Sequence, residues 1–325
     1  MKTSQTVFER QELRFDVSSA LHQGKRPDQE DAIVVDFPIG DGIGIIVLAD
    51  GMGGHRAGEV ASKIVVTEVY AELKLRSGNK QKIRDNICKI LRSAAEAANQ
   101  CLRHHSDINP DTIGMGATLI AAVRIDDTLS WLSIGDSVLY LFRDGAMTRL
   151  NEDHSMAPQI DYMVKQGMIS EEAGRDHPDR NCLISALNGE EIMMIDCPEE
   201  SLDLRPGDVI LAASDGLMYL DDGSISRTIL DGPPTDSAEL AQDLLRAIQE
   251  LDAPDQDNVC FSVVRVQSAK VTTDTVQSSD VRAAILAQPD PAPAEVVHAI
   301  EKPKFAAKVS PLLDLFRKPR ADRVQ

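Results

Sequence analysis

Short strand-like segments follow one another along most of the first 266 residues, largely without helices between them. They are Leu13–Ala20, Ala32–Phe37, Gly44–Ala49, Ala117–Ile125, Leu129–Ile134, Val138–Arg143, Glu191–Cys197, Val209–Ala213 and Val259–Val266. Most are rich in β-branched residues. Turn residues punctuate them at Gly40-Asp41-Gly42, Asp126-Asp127, Asp144-Gly145 and Pro206-Gly207-Asp208. Two long stretches carry helical periodicity instead. Ala57–Leu75 sets Val60, Ile64, Val65, Val69 and Leu73 near one face; Ile83–His104 does so with Ile83, Ile87, Ile90, Leu91, Ala94 and Ala98. Ser155–Gln166 and Ser237–Leu251 predict later helices. This order is not a regular strand–helix alternation. It predicts a large β core with helices packed outside it.

Acidic residues sit where these strands end. Asp31 follows Glu30 just before AIVVDF, Asp50 closes GIIVLA, Asp136 closes WLSIG, Asp215 closes VILAAS, and Asp257 opens the last strand. A single Asp before Gly is usually a turn former, and Asp41, Asp144 and Asp222 are read that way. Carboxylates held at the mouths of rigid strands and brought together cannot all ionise without a cation among them. Hard divalent ions such as Mg²⁺ and Mn²⁺ take oxygen ligands and retain several waters. A pair of them can lower the pKa of a bridging water and aim it at phosphorus. No phosphate-binding G-x-x-x-x-G-K-[ST], G-x-S-x-G or H-E-x-x-H motif competes.

Composition narrows the class. The 325 residues carry 34 Lys+Arg against 52 Asp+Glu, a net charge of −18, which disfavours nucleic-acid binding. No apolar run is long enough to span a bilayer, and the N-terminus lacks the apolar core of a secretory signal. The five cysteines are dispersed with no C-x-x-C pair, which argues against a disulfide framework or thiolate zinc site and predicts a reduced, cytoplasmic setting. Beyond residue 266 the character changes. Residues 267–325 are polar, then Pro/Ala-rich, and predict a disordered tail. Its basic end contains SPLLDLFRK, a short amphipathic stretch that could dock a partner or membrane surface.

These residues resemble a known family, the metal-dependent protein phosphatases (type 2C serine/threonine phosphatases), most closely the bacterial branch. The resemblance rests on RPDQED at Arg26–Asp31, ADGMGGHRAGEVAS at Ala49–Ser62, GMGATL at Gly114–Leu119, IGDSVLYLFRDG at Ile134–Gly145, SALNG at Ser185–Gly189, ASDGLMYLDD at Ala213–Asp222 and DNVCFSVVRV at Asp257–Val266. It implies an α+β fold, a four-layer α-β-β-α sandwich of two antiparallel sheets flanked by helices. It implies a catalytic domain over 1–266 that removes phosphate from phosphoserine and phosphothreonine proteins by a water bridging two metal ions. Asp31, Asp50, the Gly51 carbonyl, Asp215 and Asp257 would hold two Mn²⁺ or Mg²⁺ ions, and Asp136 a third, weaker one. Glu30 would order a water behind the ligands, and Arg26 would grip the phosphate. A planar guanidinium suits a phosphoryl group on chemical grounds as well. Residues 155–181 resemble the helical flap of bacterial members, with Gly167, Gly174 and Pro178 as hinge-like breaks. A cognate Ser/Thr kinase is the implied counterpart.

The sequence departs from the family at three places. Val138 stands where an Arg usually follows Gly-Asp-Ser, Gln29 replaces an Asn, and Met52 occupies the site of a His proposed as general acid, which leaves that acid unassigned. His55 reads as a loop residue and Trp131 as core. Two other functions compete with an active phosphatase. A non-catalytic partner-binding relative would show a broken ligand set, and none is broken. A small phosphate-ester hydrolase runs against the resemblance.

Overall fold

The computed structural model describes residues 12–53, 57–232 and 236–269. The chain divides into two units, Met1–Lys270 and Val271–Gln325. The expectations for the tail and for His55 lie outside the described residues. In chain order the first half runs β1 (Leu13–His22), β2 (Asp31–Asp36), β3 (Ile43–Met52), α1 (Ala57–Arg76), α2 (Lys80–Asp85), α3 (Ile87–Ile108), β4 (Gly116–Ala117), β5 (Leu119–Ile125) and β6 (Thr128–Ile134). The second half runs β7 (Val138–Arg143), β8 (Ala146–Arg149), α4 (Ala157–Lys165), α5 (Glu171–Arg175), β9 (Leu202–Asp203), β10 (Val209–Ala213), α6 (Asp222–Asp231), α7 (Ser237–Leu251) and β11 (Val259–Ser268).

The strands form two antiparallel sheets. One has the order β1-β11-β10-β7-β8; the other has β2-β3-β5-β6-β9, with β4 added on β3. Strand β3 shows why. Ile43, Ile45, Val47 and Ala49 point to one face, against Ala61, Val65 and Val69 of α1 and Leu91 and Ala94 of α3. Ile46 and Leu48 point to the other, against Ile210 and Ala212 of the second sheet. Both faces are buried, so the strand reads as a continuous apolar run. The outer face of the second sheet buries Leu211 and Ala213 under Ile225 of α6 and Leu240 and Leu244 of α7. The result is the four-layer α-β-β-α sandwich, and Trp131 lies in its inter-sheet core.

The structure corrects three expected elements. Ile83–His104 is two helices, because Asn86 leaves helical geometry (φ −130°) and its side chain caps the Lys82 carbonyl at 3.0 Å. Glu191–Cys197 forms no strand and keeps one bridge, Ser133 to Asp196. The Ser185 hydroxyl takes both backbone groups of Met194, at 2.8 and 2.9 Å, in place of a ladder. Ala117–Ile125 breaks at Thr118, which turns its amide and hydroxyl to Asp50. In addition, Asp222 is not a turn residue but the first residue of α6, whose N-cap is Asp221.

Candidate metal centre

Antiparallel pairing brings the acidic strand ends to one end of the sandwich. Asp31 begins β2 and Asp50 lies near the end of β3, and the register sets them directly opposite one another. Two like charges in a cross-strand pair are unfavourable unless neutralised. Asp136 lies in the link from β6 in one sheet to β7 in the other, Asp215 follows β10, and Asp257 stands just ahead of β11. Above them opens a cleft of about 1230 Å³ whose wall includes Arg26, Asp136, Asp215 and Asp257. Asp31 is 4% exposed and sits beneath it with Asp50.

The electrostatics report crowding. Burial, then repulsion from Asp215 and Asp257, raises the Asp31 carboxyl to about 7, against a bond from Ser214 that favours its ionised form. Burial, then Asp31, Asp215 and Asp136, pushes Asp50 well above the carboxylate range. Asp136 is raised to about 7, by burial and then Asp215. Asp215 is raised by burial and then Asp257. Asp50 thus stands among the Asp31, Asp215 and Asp136 carboxyls, a crowding that a cation between them would relieve. Among the described residues, no three His, Cys, Asp or Glu side chains already form a closed ligand cage. An all-oxygen set that leaves room for water fits Mg²⁺ or Mn²⁺ rather than a tight tetrahedral ion.

The remaining expected residues lie around this core. Arg26 is half-exposed on the rim and donates to Asp257 Oδ2 at 2.5 Å. Glu30 does not line the cleft; its carboxylate rests against Gly58 in the first turn of α1, and burial raises its pKa. The Gly51 amide donates to the Glu30 carbonyl at 3.1 Å. A Cβ on Gly51 would lie 2.1 Å from the Gly58 carbonyl oxygen, and one on Gly58 would lie 2.6 Å from Glu30 Oε1. The two glycines therefore let β3 and α1 cross at the site.

Several supporting residues escaped the sequence reading. Buried Asn258 accepts from the Glu30 amide at 2.8 Å and donates to the carbonyls of Gln23 (2.7 Å) and Asp28 (3.0 Å). It thereby holds the loop that carries Arg26 and Glu30. Ser214 donates to Asp31 Oδ2 at 2.8 Å. Thr118 accepts from the Asp50 amide at 3.0 Å. Arg149 donates to the Asp136 carbonyl at 2.9 Å and pairs with Asp153 at 3.1 Å. The available signal was a polar residue beside a ligand Asp or inside an apolar strand, as at Asn258, Ser214 and Thr118. Arg149 had none.

A model of the family described as Protein phosphatase 2C matches residues 19–251. The chain belongs to that family. Among type 2C relatives, it is 31% identical over 305 residues to the serine/threonine protein phosphatase PstP of Mycobacterium tuberculosis. That match covers 91% of this chain but 54% of PstP, so the chain spans about half the length of that relative. The serine/threonine phosphatase stp of Listeria monocytogenes is 32% identical over 53% of this chain and 66% of its own. The PstP catalytic domain, solved in complex with two manganese ions, superposes with a TM-score of 0.62 at 30% identity, over 79% of this chain and 100% of that one. Staphylococcus aureus Stp1 superposes with a TM-score of 0.65 at 26% identity, over 78% and 95%.

Proposed function

We propose that this chain is a metal-dependent phosphatase of phosphoserine and phosphothreonine proteins, acting in the bacterial cytoplasm against a cognate Ser/Thr kinase. Its catalytic domain would be residues 1–266, with 267–325 a tail that could dock a partner. The supporting observation is the convergence of Asp31, Asp50, Asp136 and Asp215, whose carboxyl pKa values are raised, with Asp257 under a cleft rimmed by Arg26. In this reading Asp31, Asp50, the Gly51 carbonyl, Asp215 and Asp257 hold two Mn²⁺ or Mg²⁺ ions, and Asp136 a third. When bound, such ions supply Lewis acidity toward phosphoryl oxygens and a water of lowered pKa. The protein's own groups position the rest. Arg26 presents a planar fork to the phosphoryl oxygens. Asn258 fixes the loop that carries Arg26, and Ser214 orients Asp31. Glu30 acts from behind the ligands. The insert at 155–181 walls the cleft through Arg175 and Arg180. A cleft of about 1230 Å³ exceeds what a small phosphate ester needs and suits a peptide segment.

The test is phosphate release from a phosphothreonine peptide, with Mn²⁺ and with excess chelator, beside Asp215→Asn. Release that requires Mn²⁺ and falls by about 100-fold or more in the variant is expected. An intact protein that binds metal yet releases no phosphate from a panel of phosphopeptides would replace this reading with partner binding.

A further inference from the structure

We propose that His154 is a positioning residue for Asp136. Its ring holds the Gly135 turn that presents the Asp136 carboxylate, and so sets how tightly a third metal ion binds there. The inference rests on the reading of Asp136 as the ligand of that ion. His154 lies between β8 and α4 and is fully buried. It therefore touches no substrate and is not the unassigned general acid. What it touches is the link from β6 to β7. The Gly135 amide donates to His154 Nδ1 at 3.2 Å, and the His154 amide donates to the Gly135 carbonyl at 3.1 Å. One residue thus takes both backbone groups of the residue before Asp136.

The chemistry explains why a histidine stands here. Because Nδ1 accepts, the ring proton sits on Nε2. That nitrogen is buried and has no hydrogen-bond partner among the described residues; Glu152 Oε2 stands 4.0 Å away. A buried orphan donor is unfavourable, and an apolar side chain would avoid it. What the imidazole adds in return is the acceptor at Nδ1. The Gly135 amide needs one, since it falls between β6 and β7, outside either ladder. Gly135 has φ +101°, and a Cβ there would lie 2.7 Å from Thr118 Cγ2. The turn is left-handed and closely packed, and the imidazole closes it from the remaining side.

The same segment holds the rest of the link. Arg149 donates to the Asp136 carbonyl at 2.9 Å, and Asn151 donates to the Ser137 carbonyl at 2.9 Å. Of the three, His154 alone also carries the root of the insert. Its carbonyl accepts from the Ile184 amide at 2.7 Å. Beside it Ser155 bridges to Leu183, and the Met156 amide donates to the Cys182 carbonyl at 3.0 Å. The insert is closed at its root on the residue that grips Gly135. Contacts of this kind, one step behind a ligand, are worth about 10–100-fold in metal affinity.

Mn²⁺ binding to the full chain is measured by isothermal titration calorimetry for wild type, Asp136→Asn, His154→Asn and His154→Gln. Asparagine places an amide oxygen near the Nδ1 position; glutamine carries it on toward Nε2. Wild type is expected to bind two ions tightly and a third weakly, and Asp136→Asn to lose the weak one. His154→Gln should weaken that ion about 10-fold and leave the other two unchanged, whereas His154→Asn should keep it. Adding His154→Gln to Asp136→Asn should change nothing further. A second measurement needs no variant. In a ¹⁵N–¹H spectrum of the wild-type imidazoles, His154 should appear as the Nε2–H tautomer and shift only as Mg²⁺ fills the weakest site. A weak ion untouched by His154→Gln, equal losses in the two amide variants, a loss spread over all three ions, or a ring signal indifferent to the weak ion would overturn the proposal. A weak ion that survives Asp136→Asn would overturn it by removing its premise, while an absence of all metal binding would overturn the metal-centre reading itself.

Discussion

At the residue scale, the Asp31–Asp50 cross-strand pair makes proton and metal compete for the same place. Asp31 and Asp136 titrate near 7 in the fold, whereas the same carboxyls titrate near 3.8 when unfolded. The folded protein therefore binds more protons between those values, and stability falls as pH rises through that window. The stabilising share of these groups is present below about pH 4 and lost above about 7. Chelator-treated protein should lose melting temperature between pH 5 and 8 from this source, and Mn²⁺ should restore most at the upper end. Scanning fluorimetry with and without Mn²⁺ checks both; a metal effect that does not grow with pH would count against the carboxylates. Asn258 is the second sensitive residue. Asn258→Ala leaves the Glu30 amide and two loop carbonyls without their partner. A cost of about 2–3 kcal/mol in urea unfolding is expected, together with a raised KM for phosphopeptide as Arg26 loses its support. The acidic ligands were legible because a carboxylate at the end of an apolar strand has few structural reasons to be there. Asn258 was not, because its three partners come from a loop 228 to 235 residues away.

At the scale of elements, the crossing of β3 and α1 is the tightest joint of the site. Gly51→Ala and Gly58→Ala each force a Cβ into atoms less than 3 Å away: backbone at 2.1 Å in the first case, the Glu30 carboxylate at 2.6 Å and the Gly51 carbonyl oxygen at 2.9 Å in the second. Gly51→Ala should cost about 1–3 kcal/mol and abolish the Mn²⁺-dependent rise in melting temperature. Gly58→Ala should be milder, because its nearest clash is with the Glu30 side chain, which can yield, and its backbone clash at 2.9 Å is far slighter than the 2.1 Å one at Gly51. The flap-like insert corrects an expectation. Gly174 is buried inside α5, and a Cβ there would meet Val164 Cγ2 at 2.3 Å; it is a packing glycine and not a hinge. Gly167 has φ +70° with open space around it, so it is the position where the chain needs left-handed geometry after α4. Strand boundaries were legible where both faces are buried, as in β3 and β10. They failed at 191–197, where a serine side chain outcompetes the ladder for Met194.

At the scale of the whole molecule, the three packed cores draw on residues between Leu13 and Val266. A chain ending at residue 269 should keep its unfolding midpoint, its Mn²⁺ response and its phosphopeptide turnover within experimental error if 267–325 is the separate tail proposed. A drop in any of these would move the domain boundary into the tail. The order of strands and helices and the acidic strand ends were determined by the sequence alone, because alternation, turn chemistry and charge are local properties that packing only has to accept. The tertiary structure decided which distant groups meet. It set Asp31 against Asp50 by register, placed Asn258 beneath the Arg26 loop, and brought Ser214 onto the Asp31 carboxylate from the other sheet. Such meetings depend on how two twisted sheets and their helices settle around a shared core, and no local pattern in the chain encodes the distance between them.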